Sequence, residues 1–276
     1  MNKKVSIDKK TGETVVEITP ILDNPAVSIQ LENKLYRLKK KMVRDYRDAI
    51  KEIYARYDSY LVTDADNIID FINDIINGIG ATWANIFEEV SEPFATFATE
   101  RVADRTQRQY RALSFDNPFL IDIDVDYENN RTRIIKSSIA EQVGLIKSIP
   151  TKFHDEILGD VMRNTAIGGN AQELFLQLRK LSNETDDRLK FIANDQIMKA
   201  AVLLDQQEAE AAGFTTGVWK KSIAGKTHRK SHAEANGTEF ELSKGCLIDG
   251  EYILPRIKPH CKCTYKLIKT SRNYKT

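Results

Sequence analysis

The sequence predicts a mainly α fold with a small α+β module towards its C-terminal end, that is, long amphipathic helices followed by short strands. Three observations predict it. Apolar residues recur at steps of three and four over most of residues 31–212, Gly213 ends that pattern, and short runs rich in β-formers punctuated by glycine follow it.

Taken in order, residues 1–30 read as an extended N-terminal arm, with Val15, Val16 and Ile18 between turn formers and Asn24-Pro25 closing the segment. Leu35, Leu38, Met42, Tyr46, Ile50, Ile53 and Tyr57 then mark one face of a long helix whose other positions are largely Lys and Arg. Ile68, Ile72, Ile75 and Ile79 repeat the pattern, and Trp83, Ile86, Phe87 and Val90 begin a stretch that Pro93 is expected to interrupt. Residues 31–149 are therefore read as a helical body. Periodicity resumes at Ile134–Ile146 and again at Phe153–Met162, and Gly168-Gly169 stops it. Asn170 with Glu173 three residues on has the spacing of a capping box ahead of Leu174, Leu178 and Leu181. A last long helix is expected from about Glu184 to Ala212. Strands are expected at Val218-Trp219, Tyr252–Leu254 and Thr264–Ile268, within a module spanning 150–276.

Composition bounds the function classes. With 41% hydrophobic and 29% charged residues in 276, the chain has the makeup of a globular protein. No apolar run approaches the roughly 18 residues that would cross a bilayer, so no membrane partner is expected, and nothing after Met1 resembles a signal peptide. The three cysteines are too few and too late for a secreted disulfide framework, which favours a reducing cytoplasm as the place of synthesis. The net charge of +1 conceals an asymmetry: residues 214–276 hold 13 Lys+Arg against 5 Asp+Glu, which leaves 28 against 35 for residues 1–213. Lys220, Lys221, Lys226, Arg229, Lys230, Lys258, Lys262, Lys266 and Lys269 are thus candidates to face DNA phosphate or an acidic protein surface, with a merely solvated basic face as the alternative.

Enzyme signatures are missing from the sequence. It has no His-Glu-x-x-His and no Gly-x-Ser-x-Gly, and Gly225-Lys-Thr227 fails as a phosphate loop because position 220 is Lys220 where that motif needs glycine. The alternation of Asp122, Asp124 and Asp126 suggests a calcium loop, but Tyr127 stands where its glycine belongs and Arg133 where its bidentate Glu belongs. An exposed acidic edge is the better reading of Phe119–Tyr127. The chain is not expected to be an enzyme or to take a small-molecule substrate.

A set of motifs in fixed order narrows the choice. Ile192–Gln196 in a helix is followed by Ala212–Phe214, by Gly217–Ser222, by Thr227–His232 with Asn236-Gly237, and by Pro259–Cys263. Together with the Gly168–Asn170 turn and the Glu173-Leu174 helix, this order resembles the phage Mu protein F family of head morphogenesis proteins over about residues 150–268. His260 and Lys262 stand where the family has Asn and Arg in its last tetrad. The resemblance implies a minor head protein of a tailed double-stranded DNA bacteriophage, located in the virion at the portal vertex or capsid interior. Its implied partners are the portal protein and other head proteins, with packaged DNA as a further candidate contact. The helical body at 31–149, outside the resemblance, is the candidate portal-contacting region. The alternatives are a metal-dependent nuclease and a stand-alone DNA-binding module.

All three cysteines and three of the four histidines fall within residues 228–263. Thiolates with imidazoles are ligands that zinc prefers, so His228, His232, Cys261 and Cys263 form a candidate structural zinc site. His228 and His232 would share a face of a helix over Thr227–Ala235, and Cys261 and Cys263 a face of a strand. His260 or Cys246 could replace one of the four. Buried thiols beside hydrogen-bonded histidines, and a disulfide, are the competing readings.

Overall fold

The computed structural model describes residues 1–9, 11–22, 24–60, 65–116, 127–167, 169–222 and 229–271. The expected fold class is observed: four long helices are followed by a small module of short strands and one short helix. The chain divides into two compact units that interleave in sequence. Unit 1 gathers Met1–Val27, Ala98–Ser138 and Asn194–Thr276, and unit 2 gathers Ser28–Phe97 and Ile139–Ala193. Each of the four long helices contributes residues to both units.

Unit 2 is helical. Its first helix, α1 (Pro25–Tyr60), starts earlier than the apolar repeat indicates. Pro25 opens the helix instead of closing an arm, since proline at the first helical position gives up only an N–H that lacks an intrahelical partner anyway. Leu31, Leu35, Met42, Tyr46, Ile50 and Ile53 are buried, as their spacing predicts. The second helix, α2 (Ala65–Asp116), runs on through Pro93. Proline removes the bond to the carbonyl four residues back, but Pro93 and Glu89 are both exposed, so water can satisfy that carbonyl. Helix α3 (Tyr127–Ala166) likewise continues through Pro150 and joins two stretches that the sequence presents separately. Helix α4 (Ala171–Ala211) is also one helix where two were expected.

The cap of α4 is as its spacing predicts. The Glu173 N–H donates to Asn170 Oδ1 at 3.1 Å, and the Asn170 amide donates to Glu173 Oε1 at 3.2 Å. Polar contacts inside unit 2 lock the helices in register: Tyr46 Oη lies 3.0 Å from His154 Nδ1, and Trp83 Nε1 donates to Asp45 at 3.1 Å. Gly80 of α2 lies against the His154 ring, where a Cβ would come within 2.4 Å of Nδ1.

Unit 1 holds the sheet. The C-terminal end of α4 closes with the Phe214 N–H bonded to the Ala209 carbonyl and the Gly213 N–H to the Glu210 carbonyl, Gly213 having φ 76°. The chain then forms β3 (Thr216–Lys220), helix α5 (Lys230–Glu234), β4 (Glu239–Glu241), the hairpin β5 (Cys246–Ile248) and β6 (Glu251–Ile253), and finally β7 (Thr264–Ser271). The N-terminal residues are extended but are not a free arm. They form β1 (Asn2–Ile7) and β2 (Thr14–Thr19), and β2 pairs antiparallel with β7 in a five-stranded sheet of order β1-β2-β7-β3-β4. The burial of Val16 and Ile18 is what draws them in, because an isolated strand would leave that apolar face in water. The core of the unit joins Val16, Ile18, Val202, Phe214, Trp219, Phe240, Tyr265 and Leu267, and it includes all three cysteines. The acidic run at 119–126 lies outside the described residues, and Tyr127 opens α3. Among the described residues no helix is long and apolar enough to cross a membrane.

Candidate metal centre

The C-terminal module brings three potential metal ligands together. His232 lies on α5, a single turn that follows the extended Arg229. Cys261 and Cys263 lie in the irregular chain just before β7 and not on a strand, so they do not share a face by strand alternation. The loop itself turns both sulfurs inward. It does so with two non-glycine residues at positive φ, Arg256 at 71° and His260 at 59°.

His232 Nδ1 is 3.4 Å from Cys261 Sγ and 4.0 Å from Cys263 Sγ. The three ligand atoms all lie within 4.8 Å of one another, and all three side chains are buried. Cys246, the third cysteine, is buried in β5. None of the described cysteines is in a disulfide.

The surroundings of the cluster are built to hold it. The Trp219 ring stands edge-on to the His232 ring with centroids 5.3 Å apart, and Trp219 Nε1 donates to the His232 carbonyl at 3.1 Å. The Arg256 N–H donates to Cys261 Sγ at 3.4 Å, and its Nε donates to the Cys263 carbonyl at 3.2 Å. Asp195 on α4 accepts the His260 N–H at 3.2 Å and so ties the cysteine loop to the helix. The two thiols share protons unequally. The Cys263 thiol donates to the Cys261 sulfur, and that bond with the nearby backbone N–H groups holds Cys261 below the ordinary thiol range, while the same bond and burial push Cys263 up. Burial alone pushes the Cys246 thiol up.

Of the residues expected at this site, His232, Cys261 and Cys263 converge, whereas His228 lies outside the described residues. His260 contributes its backbone N–H. Trp219, Arg256 and Asp195 were not among the residues expected to serve the site. Asp195 could have been found, as it lies within the Ile192–Gln196 motif.

The nine cations do not form one uninterrupted face. Lys266 pairs with Glu17 at 3.0 Å, Lys230 with Glu234 at 3.7 Å, and Lys258 with Glu251. Lys269 donates to the Ala212 carbonyl at 2.9 Å, and Arg229 to the Pro259 carbonyl at 3.0 Å. Lys221 and Lys262 are exposed and Lys220 is half-buried, while Lys226 is outside the described residues.

The cluster lies within the segment over which the chain compares with known proteins. Residues 155–266 match the family model of Phage Mu protein F like protein. The match takes in the end of α3, all of α4, the cysteine loop and the start of β7, close to the 150–268 over which the sequence resembles that family. An uncharacterized protein of Haemophilus influenzae is 32% identical over 114 residues, which are 41% of this chain and 25% of that relative. The chain thus spans about a quarter of the relative's length. No solved structure matches significantly. Within the Mu F-like segment the ordered motifs have separate structural tasks. Asp195 anchors the loop, Gly213 ends α4, Trp219 packs on His232, and Asn236 Oδ1 accepts the Lys221 N–H at 3.0 Å.

Proposed function

We propose that this chain is a minor head morphogenesis protein of a tailed double-stranded DNA bacteriophage, built into the virion at the portal vertex or the capsid interior. The observation that carries the reading is the Mu F-like match over residues 155–266. The burial of His232, Cys261 and Cys263 supports a structural part for this cluster, because its side chains leave little surface open to a substrate. The direct test is to isolate proheads and mature heads from an infection and probe them for the chain, then repeat the infection without it. A chain that is absent from both particles, or whose loss leaves head yield and DNA retention unchanged, overturns the proposal.

The portal protein is the proposed first partner, through the helical body. Ile29 and Tyr36 on α1 are seven residues apart and leave large apolar surface exposed. Deleting residues 31–149 would not test this, since Ala98–Ser138 belong to the unit that holds the sheet. The double variant Ile29→Glu, Tyr36→Glu keeps the helix and should reduce co-purification with portal-containing particles. Undiminished co-purification would move the contact elsewhere.

Packaged DNA is the proposed second contact, through exposed cations such as Lys221 and Lys262. Binding should weaken as salt rises and show little sequence preference, as phosphate contacts release counterions. The ion pairs of Lys230, Lys258 and Lys266 within the fold lower the number of phosphates such a surface can neutralise, so a shallow slope is expected. Gel shifts with the full chain at low and moderate salt measure that slope, and no shift at low salt would leave the cations as a solvated face.

A further inference from the structure

We infer that His232, Cys261 and Cys263 bind one zinc ion as a structural centre that fastens the cysteine loop to α5 and to the start of β7. The spacing fits the ion. Zinc bonds of about 2.3 Å to sulfur and about 2.0 Å to nitrogen at tetrahedral angles place neighbouring ligand atoms about 3.5–3.8 Å apart. The two sulfurs lie 3.4 and 4.0 Å from His232 Nδ1, and the whole set spans no more than 4.8 Å. No described residue has to move far for an ion to sit among them.

Hydrogen bonding explains the cluster less well than a cation does. A single Nδ1 faces two sulfurs, and in its neutral form it can take part in one good bond at a time. The backbone supplies a donor to each sulfur: the Arg256 N–H to Cys261 and the Ser222 N–H to Cys263. With both sulfurs and the imidazole nitrogen gathered at one point, a cation among them can be held by all three at once. An affinity for sulfur and imidazole ligands selects zinc over calcium or magnesium, which take oxygen.

The supporting contacts point the same way. Ligating histidines are oriented by their neighbours, and the Trp219 indole fixes α5 by donating to the His232 carbonyl while packing on its ring. Arg256 and His260 hold positive φ on either side of the turn that presents Cys261. Strained backbone of this kind persists where the surroundings over-determine it, as at ligand clamps. The three described residues fill three of the four tetrahedral positions and water can take the fourth, and the proposal is independent of where in the virion the chain resides.

The test uses the full chain purified under reducing, metal-free conditions. Adding cobalt(II) should produce an intense sulfur-to-cobalt charge-transfer band in the near ultraviolet and visible bands of a tetrahedral ion, and added zinc should abolish both. Protein made with zinc in the medium should carry about one zinc per chain by elemental analysis. The double variant Cys261→Ser, Cys263→Ser should lose the cobalt spectrum, whereas Cys246→Ala should keep it. A wild-type chain that is folded by circular dichroism yet gives no sulfur-to-cobalt band and holds no zinc overturns the inference. So does a chain that loses two thiols to a disulfide in air and, once reduced, still takes up no cobalt.

Discussion

The Tyr265 hydroxyl of β7 donates to Asp205 Oδ2 of α4, and both groups are fully enclosed in the core of unit 1. Tyr110 of α2 donates to the other carboxylate oxygen at 3.1 Å, so one aspartate joins a strand and two helices. Desolvation pushes Asp205 up to about 7, against the two tyrosine bonds and the chain's N-terminal ammonium, which lower it, and with the Glu208 charge, which raises it further. An aspartate whose folded value lies above its unfolded one binds its proton more tightly in the folded state. Stability should therefore fall as pH rises from about 4 to about 7 and level off above that. Asp205→Asn should flatten this dependence, as its amide is neutral throughout. Urea midpoints at pH 5 and pH 7.5 check it: the wild-type midpoint should drop between the two by more than the variant's does, and equal drops would mean that Asp205 is not the titrating group.

Gly80→Ala tests the packing of unit 2. Alanine is the better helix former by about 1 kcal/mol, but its Cβ would meet a ring that is held by Tyr46. The clash, at about 1–3 kcal/mol, should outweigh that gain and leave a net loss of up to about 2 kcal/mol. Thermal unfolding of Gly80→Ala alone and combined with His154→Ala separates the two effects, since removing the ring should make alanine at position 80 neutral or stabilising.

Asn170→Ala removes the cap of α4. With the Glu173 N–H left without its side-chain acceptor, a loss of about 1 kcal/mol is expected, and Asn170→Asp should restore it. Denaturant midpoints decide between this and a helix start held by packing alone, for which both substitutions would be silent.

Ile18→Ala probes the attachment of the N-terminal hairpin. Ile18 is fully buried on β2 and pairs in register with Leu267 of β7. Truncation should cost about 2–5 kcal/mol, far more than a residue on a loose arm would. Protease sensitivity near residues 1–20, compared between variant and wild type, should rise in parallel.

The local periodicities were readable because they report one face at a time. Met42, Tyr46 and Ile50 mark the buried side of α1, and Val218 and Trp219 mark β3, whatever else surrounds them. What the sequence hid was non-local. Nothing near Val16 announces that its partner strand is β7, so the hairpin reads as an arm until the pairing is seen. Pro93 reads as a break because proline's cost is local, while the exposure that makes it tolerable depends on how the helix is placed. At the candidate site the residue types were legible from clustering, and His232, Cys261 and Cys263 do meet. Arg256 was not, because both its backbone N–H and its Nε act on groups of the cysteine loop that only the folded turn brings within reach.

The place of β7 in the sheet bears on how the protein can be made. It is the central strand, flanked by β2 on one side and β3 on the other, yet it follows all of its neighbours in sequence. Lys266 finds its ion-pair partner Glu17 249 residues away. During synthesis, hairpin β1–β2 and pair β3–β4 therefore leave the ribosome with their inner edges bare, and neither can close until residue 271 has emerged. Such long-range closure is slow compared with helix formation. Over that interval two open strand edges are free to pair with other nascent copies. Slow translation at low temperature, or co-production with a partner that shields those edges, should raise the soluble yield more than added denaturant or salt.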